Sequence, residues 1–266
     1  MTTPLITLLS DFGLKDPYVA EMKAVILSIC PEACIVDISH EIEKFNIRMG
    51  AFALASAASY FPNGVIHVAV VDPGVGTKRR PILVETQHAF YIGPDNGLLM
   101  LTAQRDGIRS AYHIVNKRYM LPHVSQTFHG RDVFTPAAAH LANGCTPSDF
   151  GPEIHDYVIP EFAKPRLTKG ELSGEVLHID DFGNIITNIS KEDLGKTRIR
   201  EGAKLRIKLK GKSMTLRLHS TYGDAATKAP LALIDSQNFF EIAINQDSAS
   251  EKFKTKAGDT AVILLT

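Results

Sequence analysis

Residues 65–71 form an almost unbroken run of β-branched and apolar side chains, interrupted only by His67. Such a run predicts a strand buried on both faces, as in a parallel sheet, rather than a half-exposed strand with strict alternation. Two shorter apolar runs precede it, at 5–9 and 35–38, and between them the spacing changes to a helical period. Val19, Met22, Val25, Ile26 and Ile29 fall on one face of a predicted helix over Tyr18–Ile29, with Asp16 as its cap, Pro17 in its first turn and Pro31 ending it. An alanine-rich stretch over 46–60 predicts a second helix able to pack closely on a sheet. The order is β-α-β-α-β, the alternation of a mostly parallel sheet covered by helices. Residues 81–86 and 88–93 then read as a hairpin and 94–97 as a turn. A helix starts at about Leu98, a strand covers 112–115, and a helix covers 133–143 with Pro136 in its first turn.

The pattern changes around residues 159–166, where two prolines and mixed charges mark a linker. Beyond it come short alternating runs at 172–179, 185–189, 204–209, 214–218, 231–234, 239–244 and 260–265, with almost no helical period. These predict an all-β domain, a barrel or a sandwich. The expected organisation is an α/β N-terminal domain over 1–160, a linker over 161–170 and a β-barrel C-terminal domain over 171–266.

Composition narrows the function classes. Basic and acidic side chains number 29 each in 266 residues, so net charge favours neither nucleic acid nor a membrane surface. No apolar run is long enough to span a bilayer, and the start of the chain lacks the pattern of a signal peptide. Cys30, Cys34 and Cys145 read as reduced, buried thiols of a cytoplasmic protein. Cys30 and Cys34 have no matching Cys/His pair elsewhere, and no HExxH occurs, so no metal is expected. There is no nucleophile elbow and no P-loop. Gly74 and Gly76 lack the third glycine of a dinucleotide fingerprint, and Pro73 intrudes.

The candidate chemistry sits where strands open into glycine-containing turns. Asp11 follows the first strand and Asp72 the third; Arg79, His129, Arg131 and Asp132 lie further along the same domain, and Asp180 and Asn184 occupy a turn of the β domain. Ligand chemistry in open α/β sheets gathers at such strand ends. Taken singly, each has a plainer account: Asp72 as a strand-ending residue in a turn, His129 as a hydrogen-bonded structural residue, 180–184 as a hairpin turn. An Asp, an Arg and a His brought together can position and polarise one water molecule, and whether they meet is a question of tertiary structure.

In combination the segments resemble a known family. Ser10-Asp11-Phe12-Gly13 with Asp16-Pro17-Tyr18, Asp72-Pro73-Gly74-Val75-Gly76 with Arg79-Arg80, Phe128-His129-Gly130-Arg131-Asp132, and Asp181-Phe182-Gly183-Asn184 are similar, in order, to the S-adenosyl-L-methionine hydroxide adenosyltransferases. These are relatives of the fluorinases and chlorinases. The resemblance implies an α/β domain, a β-barrel and a homotrimer binding substrate between neighbouring subunits. It also implies hydrolysis of S-adenosyl-L-methionine to adenosine and L-methionine without a cofactor. Asp72, Arg79 and His129 match the family's water-binding set, and Asp11 its contact to the ribose hydroxyls. Asp16 and Asp180 or Asp181 would approach the methionine amine, and Asn184 and Ser236 would contact polar groups. Phe182 would stack on adenine, Glu241 and Asn245 would line the adenine edge, and Phe45 would wall the ribose. Fluorinase-type relatives carry Tyr where Asp72 stands, Ser where Gly130 stands and Arg where Gln237 stands; the chlorinase branch has glycine at Gly130. A chlorinase-like halogenase and a non-catalytic nucleoside-binding protein are the alternative expectations, and Asp72 argues against the first.

Overall fold

The computed structural model describes residues 3–265, which divide into two compact units between Pro160 and Glu161. The first is built on a six-stranded sheet of β1 (Leu5–Ser10), β2 (Cys34–Ser39), β3 (Val65–Val70), β4 (Pro81–Thr86), β5 (Ala89–Pro94) and β6 (Ile108–His113), in the order β2-β1-β3-β5-β4-β6. The pairs β1–β2, β1–β3 and β3–β5 are parallel; β4 runs antiparallel to both β5 and β6. Every residue of β3 is buried, as its apolar run predicts. Helices α1 (Tyr18–Ile29) and α4 (Thr135–Ala142) pack together on one face, where Met22, Ile26 and Ala137 to Ala139 meet Ile6, Leu8, Val68 and Val70. Helices α2 (Ile47–Ala58) and α3 (Met100–Asp106) pack against each other elsewhere on the sheet.

The chain leaves β1 for β2 on one side and reaches β3 on the other, so the strand order reverses between β1 and β3. Ligands of open α/β sheets bind at that switch point, beyond the carboxyl ends of the strands. Ser10 and Val70 are in register at the ends of these two strands; Asp11 follows Ser10 directly, and Asp72 follows Val70 after Val71.

Several local expectations are corrected. Asp16 does not cap α1: the helix begins after Pro17 with no side-chain cap bond. The helix expected from Val133 starts earlier, as a wide π turn over Gly130–Phe134 that runs into α4. Strand β6 begins at Ile108, directly after Gly107 (φ 79°) ends α3, because its first residues pair at a sheet edge and need no apolar run. Cys30 is buried and Cys145 partly so, but Cys34 is exposed; all three are free thiols.

A buried carboxylate fixes the turn after β5. Asp95 accepts from Arg80 Nε (3.0 Å) and Nη2 (2.7 Å) and from the Val158 amide (2.8 Å). Asp95→Ala leaves Arg80 Nε and the Val158 amide unmatched, and a loss of about 2 kcal/mol in urea unfolding is expected. A change below a few tenths would contradict that role.

The second unit is a nearly closed antiparallel barrel. Its strands are β7 (Arg166–Leu167), β8 (Glu171–Ile179), β9 (Ile185–Ser190), β10 (Lys204–Leu209), β11 (Lys212–Arg217), β12 (Pro230–Ile234), β13 (Phe239–Ile244) and β14 (Thr260–Leu264). They follow the order β11-β10-β14-β8-β9-β13-β12, with β7 beside β8 and a bridge from Leu218 to Ala232 joining the two ends. In β10, Leu205, Ile207 and Leu209 point inward while Lys204, Arg206 and Lys208 face solvent, the alternation of a one-sided strand. Two short helices were not legible, α5 (Lys191–Gly195) and α6 (Ala249–Phe253). Each is too short to display a helical period, although Ser190 and Ser248 cap them through backbone amides. No helix among the described residues is long and apolar enough to cross a membrane.

Candidate functional site

Beyond β3, the chain turns back on itself through bonds from Val75 N to Asp72 O (3.3 Å) and Thr77 N to Gly74 O (3.2 Å). The turn returns Arg79 to Asp72. Arg79 Nε donates to Asp72 Oδ1 (3.1 Å), and Nη2 donates both to Asp72 Oδ2 and to His129 Nδ1 (3.0 Å). The pair is sequestered, with side-chain exposures of 5% for Asp72 and 7% for Arg79. The guanidinium lies over the Phe134 ring, 5.4 Å from its centroid. Arg79 Nη1 is buried with no hydrogen-bond partner, which leaves one donor of the set for an added acceptor.

Two features bring His129 to this pair. Gly76 (φ 75°) lies against the backbone of Gln126, so close that a Cβ would stand 2.2 Å from its carbonyl oxygen. The segment 125–128 is in turn held by Asp132, which is fully buried and accepts from Ser125 N (2.7 Å) and Arg131 Nε (2.7 Å). Because a guanidinium only donates, His129 Nδ1 is an acceptor and the neutral ring carries its proton on Nε2. Burial and the neighbouring Arg79 charge hold the imidazole below its ordinary pKa, against smaller opposing effects of Asp72 and Asp132.

Asp11 is buried and accepts from the Phe45 amide (2.9 Å), while the Lys44 ammonium donates to its carbonyl. Phe45 adopts a left-handed φ of 65° and is 68% exposed. Phe12, Tyr18 and Phe128 form an edge-to-face aromatic group, with Gly130 against Phe128, Met22 and Phe12. Asp16 lies exposed in the loop before α1, and no described bond ties it to the Asp72 set.

The barrel carries a cavity of about 550 Å³ lined by Asp180, Phe182, Asn184, Tyr222, Ile244, Gln246, Asp247 and Ser248. The turn after β8 is self-bonded: Asp180 accepts from Phe182 N (3.0 Å), Asn184 N (2.8 Å) and Asn184 Nδ2 (2.9 Å). Gly183 (φ 82°) seats this turn on Ser248, and Phe182 is left 82% exposed at its tip. Asp181 is exposed. Of the residues nominated from sequence in this unit, Asp180, Phe182 and Asn184 line the cavity, whereas Asp181, Ser236, Glu241 and Asn245 do not.

Glu241 stands behind the wall. It is buried on β13 and accepts from the Tyr222 hydroxyl (2.9 Å). Burial raises its pKa to about 7, with Asp235 and Asp180 adding to the shift and the Tyr222 bond opposing it. Asn245 donates to Ala225 O (2.7 Å) and so ties down the loop that follows Tyr222. Tyr222 itself was missed in the sequence. An aromatic between small polar residues in a turn, as at Phe182, is the signal that could have found it. Among the described residues, no cluster of His, Cys, Asp and Glu could hold a metal ion.

The model of the SAM hydroxide adenosyltransferase N-terminal domain matches residues 6–151, and that of the C-terminal domain matches 174–262. This chain belongs to that family. The SAM hydroxide adenosyltransferase N-terminal module thus contains the whole Asp72–Arg79–His129 set, and the C-terminal module all of the cavity lining. A relative from Thermus thermophilus, named (R)-S-adenosyl-L-methionine hydrolase, is 39% identical, covering 94% of this chain and 95% of its own. A protein from an Actinoplanes species, named fluorinase, is 30% identical, covering 98% and 97%. The crystal structure of an uncharacterized conserved protein from Thermotoga maritima superposes with a TM-score of 0.85 at 36% identity, covering 97% of this chain and 99% of that one.

Proposed function

We propose that this chain hydrolyses S-adenosyl-L-methionine, giving adenosine and L-methionine. The observation that carries the reading is the Asp72–Arg79–His129 set, its carboxylate and guanidinium sequestered, with the unpartnered Arg79 Nη1. The relatives named hydrolase support the substrate. Water attacks C5′ as the C5′–S bond breaks, and the electron pair returns to sulfur to give a neutral thioether. The leaving group needs neither an acid nor a cofactor, so the protein's task is to hold and orient the nucleophile near C5′. Arg79 Nη1 donates to the water oxygen. Asp72 takes the proton, because His129 already carries hydrogen on Nε2 and uses Nδ1 to accept from Arg79.

Asp11 and Phe45 are assigned to the ribose, Asp16 and Asp180 or Asp181 to the amine, Asn184 and Ser236 to polar groups, and Phe182 to adenine. Glu241 and Asn245 act from behind the adenine wall, through Tyr222 and its loop. The same reading takes the protein to be a cytoplasmic homotrimer in which neighbouring subunits complete the site; a monomer with full activity by light scattering and assay would refute that assembly. Asp72 separates hydrolysis from the halogenase reading, since a carboxylate in the nucleophile position holds water and repels halide. The deciding experiment incubates the purified protein with S-adenosyl-L-methionine, with and without chloride, and identifies the nucleoside by chromatography. Adenosine in both supports the reading; 5′-chloro-5′-deoxyadenosine, or no product, overturns it.

The lowered His129 pKa sets a pH dependence. Neutral imidazole is required to accept from Arg79, so kcat/KM stays level through neutral pH and falls only below the ordinary imidazole value of about 6.5. In His129→Gln this limb is expected to change position. A fall beginning above pH 7 in the unaltered protein would contradict the assignment.

A further inference from the structure

We infer that His40 is a positioning residue, which holds Asp11 in place by gripping its turn from both sides. The inference rests on the reading of Asp11 as the contact to the ribose hydroxyls. His40 follows β2 and is 3% exposed, beside the end of β1. Its Nδ1 lies 2.7 Å from the Ser10 hydroxyl, just before Asp11, and its carbonyl oxygen accepts from the Gly13 amide (2.7 Å), just after it. The Ser10 oxygen also accepts from Phe12 N (3.3 Å), so the turn around Asp11 is closed from within and from His40.

The ring is oriented in turn. His40 Nε2 approaches Asp37 Oδ1 at 3.1 Å, close but not aligned as a hydrogen bond, so the contact is chiefly one of charge and dipole. Lys23 on α1 donates to the other oxygen of Asp37 (2.6 Å). A proton on Nε2, facing this carboxylate, leaves Nδ1 to accept from the Ser10 hydroxyl, and the Ser10 oxygen free to accept from Phe12. Serine, histidine and aspartate in this order resemble a hydrolytic triad. Ser10 is fully buried, however, and its oxygen cannot reach a substrate, so the chain serves geometry and not covalent catalysis. Ordinary packing does not require a polar chain at this point. A buried carboxylate that must meet two hydroxyls within hydrogen-bond distance does require a fixed turn.

The test compares adenosine with 2′,3′-dideoxyadenosine by calorimetry on the full chain. The unaltered protein is expected to favour adenosine by about tenfold or more, the value of hydrogen bonds from hydroxyls to a carboxylate. In His40→Ala the ratio should fall toward one while affinity for the dideoxy compound stays within about twofold. His40→Asn, which keeps a short-range acceptor, should recover part of the ratio. Ser10→Ala removes only the hydroxyl link and should lower the ratio even if His40→Ala fails to fold. A wild-type ratio in both His40→Ala and Ser10→Ala overturns the inference while leaving the Asp11 reading intact. Equal losses for both ligands also overturn it, since they mark a general structural role. A ratio near one in the unaltered protein overturns the Asp11 reading, and this inference with it.

Discussion

Asp72→Asn is expected to reduce adenosine formation by about 10²–10⁴-fold while the chain remains folded. The substitution keeps the shape of the side chain and one oxygen able to accept from Arg79, but removes the charge and the capacity to take a proton. His129 cannot substitute, because its one free lone pair already accepts from Arg79. Either change leaves a guanidinium that is only 7% exposed without its counter-charge, at a cost on the order of 3 kcal/mol, and Asp72→Ala also removes the remaining side-chain acceptor at position 72. The two substitutions should therefore be alike in turnover and differ in thermal stability. Product chromatography and a melt monitored by circular dichroism measure the two effects separately. Full turnover in Asp72→Asn would remove Asp72 from the proposed chemistry.

Gly76→Ala should damage the site with no loss of a functional group. The residue has a left-handed φ of 75°, and its added Cβ would stand 2.2 Å from the Gln126 carbonyl oxygen. Backbone strain and collision together are expected to destabilise the chain by about 2 kcal/mol. The larger consequence is geometric. The segment bearing Arg79 and the segment bearing His129 meet at this contact, so forcing it apart separates the two side chains. A displacement of about 1 Å in such a set lowers kcat by roughly 10²-fold. Gly64→Ala provides the control: Gly64 has a φ of 84° but nothing within 4 Å of an added Cβ, so it shares the strain without the collision. Gly64→Ala should lose some stability and keep its turnover. Equal turnover in the two variants would show that the Gly76 contact does not hold the site together.

Much of the architecture is written in short-range pattern. The buried run of β3 announces a parallel sheet because a strand covered on both faces has no polar side to display. The strict alternation of β10 announces a one-sided strand because successive side chains point to opposite faces. Asp72 and Asp11 are recognisable as candidates because each follows an apolar strand into a glycine-containing turn. The wide turn at Gly130–Phe134 was not legible, since its bonds depend on packing against α1 and not on local preference. Asp16 looked like a helix cap because residue type suggests one, yet the backbone enters α1 without a bond from its side chain.

Sequence alone therefore determined most of the strands, the longer helices and the residue types available for chemistry, because burial and periodicity act between near neighbours. Tertiary structure decided which of those residues meet. Arg79 reaches His129 across 50 positions of chain through the fit of Gly76 to Gln126. Ser10 reaches His40 across 30 through the pairing of β1 with β2. Tyr222 meets Glu241 only because β13 places a buried carboxylate behind the cavity wall. Such meetings are set by packing between distant segments, for which no local pattern exists in the chain.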